Sequence, residues 1–298
     1  MKFVVTGGAG FVGSNIVKLL INEGHSVIVI DNLVKGKKKN LETVLAKIEF
    51  HEIDIRDYES LKDILINIDG VFHQAALTVV QDSFEKPDEY HEVNVIGTEN
   101  IFKLANLNDF KVVYASSSSV YGHKKTMPIT EDSMREPINP YGKTKLQDEY
   151  LFDKYSKKGT KIIGLRYFNI FGEGQTLEYA GVITKFLDRI KQKESPIIYG
   201  DGLQIRDFIF VEDVAMANLL AMTSEISNLL VNIGTGTAIT IVELANIMLD
   251  ISKIDAKPIF ADPLDGDIKE SQANNTLAIK SFNWKPKKDL REWLTEIL

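Results

Sequence analysis

A doubly wound α/β fold with a smaller C-terminal lobe is the class this sequence predicts, and three observations predict it. Short β-branched runs alternate with longer helical patterns through the first half, a glycine-rich turn joins the first run to the first helix, and after about residue 167 the pattern loosens into Gly- and Pro-punctuated segments. Buried strands are expected at Phe3 to Thr6, Val27 to Ile30, Ile48 to His51, Gly70 to Phe72, Lys111 to Ala115 and Ile162 to Leu165. These runs are apolar throughout rather than alternating, so the sheet should be parallel and covered on both faces. Most of them are separated by stretches with apolar spacing of three and four, the signature of helices packed on a sheet. Later helices are expected near 180–192, 211–223 and 240–250, followed by an amphipathic stretch carrying Trp284 and Trp293. The implied division is 1–166 and 167–298, with some segments of the second part returning to the first.

With 298 residues, 44% of them hydrophobic, the chain can bury a sizeable core. Its net charge of -7 gives no electrostatic footprint for nucleic acid or an anionic membrane. The absence of cysteine excludes disulfides, thiolate metal sites and cysteine nucleophiles, and fits a cytoplasmic protein. Met1 runs straight into a strand, so no signal peptide is expected. His25, His51, His73, His91 and His123 show no ligand spacing, so no metal is expected. The run Lys35 to Lys39 reads as a solvated loop.

The turn Thr6-Gly7-Gly8-Ala9-Gly10-Phe11-Val12-Gly13 follows the first strand and opens a helix. Glycines at 7, 10 and 13 let backbone N–H groups at a helix N-terminus approach a pyrophosphate, as in Rossmann-type dinucleotide sites. Asp31, followed by Asn32, ends the second strand, where a carboxylate accepts from a ribose 2′-OH and repels a 2′-phosphate. NAD is favoured over NADP, with nearby Lys35 the residue that argues the other way.

Tyr-x-x-x-Lys occurs four times, at Tyr58/Lys62, Tyr121/Lys125, Tyr141/Lys145 and Tyr150/Lys154, so spacing alone decides nothing. Tyr141 follows Asn139-Pro140, a cap and first-turn pair, and Lys145 lies on the same helical face. Tyr150 is nine residues on and must face the opposite way from Tyr141.

Together these segments resemble the extended short-chain dehydrogenase/reductase superfamily, specifically its nucleotide-sugar epimerases and dehydratases. Further matches recur in order at Asp54-Ile55, Phe72 to Ala76, Asn94, Ser116 to Gly122, Tyr141 to Lys145, Arg166 to Asn169 and Arg206 to Phe208. The resemblance implies that Asp54 and Ile55 contact the adenine and that Ala75, Ala76 and Asn94 line the cofactor cleft. It places the catalytic hydroxyl on Ser117, with Ser118 as the alternative, and makes Tyr141 and Lys145 the base and its partner. A phenol ordinarily ionises near pH 10; a lysine ammonium and a nicotinamide cation both favour its phenolate. Tyr141 would then take a sugar hydroxyl proton as hydride passes to NAD, with Ser117 hydrogen-bonded to the same oxygen.

Related dehydratases and decarboxylases carry acids after that hydroxyl, where this chain has Ser118 and Ser119. The resemblance is therefore to the UDP-glucose 4-epimerases, which implies a UDP-sugar substrate. Uronate epimerase, dehydratase, reductase or non-catalytic NAD-binding readings stay open behind it. By the same resemblance Asn169, Gly181, Val182 and Arg206 meet the diphosphate, Tyr199 the uracil and Asp267 the uridine ribose. Asn169 could equally cap a loop, and Arg206 could instead pair with Asp207 or Glu212. Leu264 stands where the family carries a second diphosphate arginine, with Lys269 a candidate replacement, and Thr78 stands where it usually carries a lysine. Ser271 occupies a gatekeeper position that is small in members accepting N-acetylated sugars. The helices near 88–106 and 140–157 imply a homodimer.

Overall fold

The computed structural model describes residues 1–175 and 181–298. Strand β1 (Lys2–Thr6) leads into α1 (Phe11–Asn22), β2 (Ser26–Ile30), β3 (Ile48–His51), α2 (Tyr58–Ile64) and β4 (Gly70–His73). A broken helical stretch follows: α3 (Val80–Glu85), α4 (Pro87–Tyr90), a π-helical turn His91–Ile96 and α5 (Gly97–Asn108). Strand β5 (Lys111–Ser117), α6 (Pro140–Ser156) and β6 (Ile162–Tyr167) complete the alternation. The chain then forms β7 (Asn169–Phe171), α7 (Val182–Lys191), β8 (Ile197–Tyr199), β9 (Ile205–Phe210), α8 (Val211–Thr223) and β10 (Asn228–Ile233). It ends with β11 (Ala238–Thr240), α9 (Ile241–Ser252), β12 (Ile259–Ala261), β13 (Glu270–Ser271), α10 (Thr276–Phe282) and α11 (Leu290–Ile297).

Seven strands pair in the order β10-β6-β5-β4-β1-β2-β3, all parallel. Successive side chains of a strand point to opposite faces, which is why continuous apolar runs suit this sheet. Phe3 and Val5 join one core with Val17 and Leu20 of α1 and Val214 of α8, while Val4 joins the other with Phe102 of α5 and Phe152 of α6. The strand order reverses between β1 and β4, so the chain leaves a crevice at their carboxyl ends, the usual ligand position in such sheets.

The second half does not stay apart from this sheet. Strand β10 pairs with β6, and α8 packs against α1. Trp284 is buried in the sheet core and donates Nε1–H to the Asp213 carbonyl at 2.9 Å, whereas Trp293 stacks edge-on against Phe171 at 5.1 Å in a separate core with Phe186, Phe208 and Leu244. The two tryptophans expected in one amphipathic stretch therefore serve different cores. Over that second core lie a small sheet of β11, β9, β13 and β7 and a parallel pair of β12 and β8. Position 180, the start of one expected helix, lies outside the described residues. Among the described residues no helix is long and apolar enough to cross a membrane.

Candidate active site

The crevice is a cavity of about 630 Å³, floored by the ends of β1, β4 and β5 and closed over by the Leu264 to Ser271 segment. At one end the glycine turn enters α1. Gly7 takes a φ of +65°, and a side chain there would press within 2.7 Å of the Ala75 amide nitrogen. A side chain at Gly13 would collide with the Gly7 carbonyl. Gly10 caps the helix in extended conformation without any side-chain hydrogen bond, and no acidic residue occupies the first turn. The α1 amides and the positive end of the helix dipole are thus left to an anion in the cavity.

Beside them, Asp31 is 7% exposed, and its carboxylate accepts from the Ala9 amide at 3.0 Å and the Leu33 amide at 2.8 Å. Burial pushes this carboxyl up, against both hydrogen bonds. Each oxygen keeps a lone pair for a ribose hydroxyl. Gly36 lies so close that a Cβ would stand 2.6 Å from Oδ1. Gly7, Gly10, Phe11, Val12, Gly13, Asp31 and Asn32 all face the cavity, as do Ile55, Ala75 and Ala76. This set fits a dinucleotide: bare helix amides for the pyrophosphate, a buried acceptor for the ribose, and an apolar slot at Ile53 and Ile55 for the base.

Two expected cofactor contacts are not on the wall. Asp54 accepts from Arg56 at 2.9 and 2.8 Å and from Asn32 at 2.9 Å, and the guanidinium holds its carboxyl down to about 2. It orients Arg56, which does reach the cavity. Asn94 is fully buried. It accepts from the Leu77 amide at 2.8 Å and donates to the Leu77 carbonyl and Thr144 Oγ1 at 3.0 Å, so it ties the wall loop to α6. The basic run is also not simply solvated, because Lys35 lines the cavity and lies 3.9 Å from Asp82.

At the centre, Ser117 ends β5, Tyr141 opens α6, Lys145 follows one turn later, and all three line the cavity. Asn139 caps α6 by accepting from the Gly142 amide at 2.8 Å and donates to the Gly266 carbonyl at 3.3 Å. Ser83 Oγ accepts from the Tyr141 amide at 3.2 Å. Of the other tyrosines in this spacing, Tyr150 is 55% exposed and Tyr121 is buried between Asn232 and Arg166. Neither Tyr150, Tyr121 nor Tyr58 lines the cavity. Ser117 Oγ accepts from the Ser119 amide at 3.2 Å, which leaves its own hydrogen to point elsewhere. Sequence reasoning missed the clamp beneath these groups: buried Glu149 accepts from Ser116, Arg135 and Arg166 and so locks β5 to α6. His73 bridges Thr6 and Thr98, and burial, with the Lys145 ammonium nearby, pushes it down to about 3, so it stays neutral.

At the far end Asn169, Gly181, Arg206, Leu264, Asp267 and Ser271 face the cavity, whereas Val182 and Tyr199 do not. Tyr199 sits in the separate β8/β12 pair and is 38% exposed; Val182 is the first residue of α7, behind Gly181. The Arg206 guanidinium holds Asp267 at 2.5 Å, not the Asp207 or Glu212 weighed from the sequence. Asp207 is spent on Thr235, Gly236 and Ala273. Burial pulls the Arg206 pKa down, and Asp267 opposes that. Lys269 does not line the cavity, whereas Lys185 on α7, unforeseen from the sequence, does. Among the described residues no group of histidines and carboxylates is arranged to hold a metal.

Residues 3–234 match the NAD dependent epimerase/dehydratase family. A UDP-N-acetylglucosamine 4-epimerase from Methanobrevibacter ruminantium, solved with UDP-N-acetylmuramic acid, is 38% identical with a TM-score of 0.93, covering 99% of this chain and 96% of that one. The UDP-glucose 4-epimerase of Thermotoga maritima, solved with UDP-glucose, is 36% identical over the same shares with a TM-score of 0.95. A UDP-N-acetyl-alpha-D-glucosaminuronate decarboxylase from Bacillus cytotoxicus is 37% identical over 82% of this chain and 78% of its own length.

Proposed function

We propose, from the premise that this chain belongs to the NAD-dependent epimerase/dehydratase family, that it interconverts UDP-sugars epimeric at C4, UDP-glucose and UDP-galactose and also their N-acetylated counterparts. The observation that supports this reading is that Ser117, Tyr141 and Lys145 all line one cavity and that the two residues after Ser117 are hydroxyls rather than acids. Elimination or decarboxylation assisted from those positions would need a proton donor or acceptor that serine does not supply.

NAD held against the glycine turn and Asp31 supplies a hydride acceptor and donor. The chain's own part is proton transfer. Tyr141, as phenolate, would take the proton from O4 when C4 is oxidised and return it to O4 when C4 is reduced again. Lys145 favours the phenolate electrostatically. Ser117 donates its hydroxyl hydrogen to O4 and then to the carbonyl oxygen, a contact that strengthens as charge develops there. Epimerisation needs the sugar to turn over between the two transfers, which small neutral walls at Thr78, Ser118 and Ser271 permit. The diphosphate is held by Arg206, Asn169 and the Gly181 amide, and Asp267 shares Arg206 with it.

Ser271, 4% exposed and on the cavity wall, supports room for a 2-acetamido group. The test is incubation of UDP-glucose, UDP-galactose, UDP-GlcNAc and UDP-glucuronate with the protein, with NMR of the anomeric protons and Tyr141→Phe alongside. C4 interconversion that Tyr141→Phe abolishes is expected. Loss of CO2 from the uronate, or no interconversion of any UDP-sugar, overturns the reading. The same resemblance supports a homodimer through α5 and α6, where Leu107 and Tyr150 stand 67% and 55% exposed; light scattering on the purified protein checks it.

A further inference from the structure

Helix α6 sets three ionisable groups at intervals of four and three residues, Tyr141, Lys145 and Asp148, a spacing that keeps them on one face. Tyr141 and Lys145 line the cavity, and Asp148 lies beneath them with 0% exposure. Its Oδ2 accepts from Lys145 Nζ at 3.2 Å, and its Oδ1 has no hydrogen-bond partner among the described residues. A buried charge is costly unless paired, so an ionised Asp148 depends chiefly on that ammonium.

The surrounding groups give it little else. Glu149, next on the helix, is itself acidic and is consumed by Arg166, Arg135 and Ser116. Tyr114 of β5 is a buried phenol whose hydroxyl also lacks a partner, and burial pushes its pKa well up. Thr98 of α5 offers a neutral hydroxyl that favours the Asp148 carboxylate more weakly than the ammonium does, and His73 of β4, which faces the same ammonium, is held neutral by burial. Burial raises the Asp148 carboxyl to about 7, within the range where an enzyme works. A carboxylate on Asp148 and a phenolate on Tyr141 would therefore draw on a single cation from two sides.

We propose that Asp148 is a positioning residue that anchors the Lys145 ammonium and competes with Tyr141 for its charge, thereby setting the pH at which Tyr141 becomes a phenolate. With Asp148 ionised the pair is net neutral and lends Tyr141 little; with Asp148 protonated the full positive charge faces the phenol. Ionisation of Tyr141 is then accompanied by proton uptake on Asp148. This rests on the reading of Tyr141 as the base.

The experiment is a pH titration of tyrosinate ultraviolet absorbance in the NAD-loaded protein, taking the part of the signal that Tyr141→Phe removes. It is run on wild type, Asp148→Asn and Asp148→Ser, with kcat and KM against pH measured in parallel. The Tyr141 signal and the acid limb of kcat should move to lower pH by about one unit in both variants, the low end of what one nearby charge does, with KM little changed. No movement, or movement to higher pH, overturns the proposal. If neither variant folds, carbon NMR of the Asp148 carboxyl decides: in Tyr141→Phe it should ionise at lower pH than in wild type, and an unchanged titration overturns the proposal. The absorbance needs no turnover, so a protein that binds NAD but epimerises nothing would sink the proposed function while this result could still be read.

Discussion

At the end of the cleft beneath β1 and β2, recognition is assigned to backbone: bare amides at α1, a glycine that must stand at φ +65°, and a carboxylate already fixed by two amides. At the other end it is assigned to side chains, and the leading one, Arg206, already grips Asp267. A backbone site tolerates almost no substitution, because each change meets an atom that cannot move. A side-chain site can be retuned one residue at a time. Under the proposed function, the first end would hold the dinucleotide and the second would choose the sugar nucleotide, with the reacting groups between them.

The largest effect expected is at the backbone end. Gly13→Ala sets a methyl against the Gly7 carbonyl, and calorimetry should find no NAD binding. Retained binding would show that the turn can give way and would dissolve the contrast. Next comes acid stability. His73 is neutral in the fold, with its pKa depressed to about 3 from an ordinary value near 6.5. The unfolded chain therefore binds the extra proton first, so the stabilisation is complete above about pH 6.5 and is lost as pH falls toward 3. Denaturant titrations should show wild type losing more stability over that window than His73→Gln.

The side-chain end should respond by degrees. Arg206→Met should weaken UDP binding by a factor of roughly 10 to 100, the value of a charged hydrogen bond, with NAD affinity unchanged; equal loss of both would mean the two ends are not independent. Ser271→Tyr should lower kcat/KM for UDP-GlcNAc about tenfold relative to UDP-glucose, in the range of a pocket made too small. Leu264→Arg, which adds a cation to the cavity wall, should tighten UDP binding only a few-fold, the scale of a partly exposed charge pair.

What was legible in the sequence follows the same division. Gly7, Gly10, Gly13 and Asp31 could be read because a backbone requirement leaves a local pattern, and the strands because apolar runs announce burial on two faces. Tyr141 could be separated from Tyr150 because nine residues of helix fix their relative direction. Partnerships across the fold left no such trace. Arg206 and Asp267 are 61 residues apart, and nothing local distinguishes Asp267 from Asp207 as the partner. Tyr199 was expected in the cleft, but β8 pairs with β12 and turns it outward. Asn94 reads like a wall residue until its three hydrogen bonds are followed. Lys185 carries no motif at all, and only the placement of α7 brings it to the cavity.

Asn139 joins the centre of the cleft to its far end in a way that constrains the alphabet at its position. Several residues cap a helix as well as asparagine does, aspartate among them. Asn139, however, accepts from Gly142 and donates to the Gly266 carbonyl at the same time, and a carboxylate has no hydrogen to donate. One amide thus sets both the start of the helix that presents Tyr141 and the distance to the loop that carries Asp267, so Asn139→Asp would leave the helix intact and unfasten the roof.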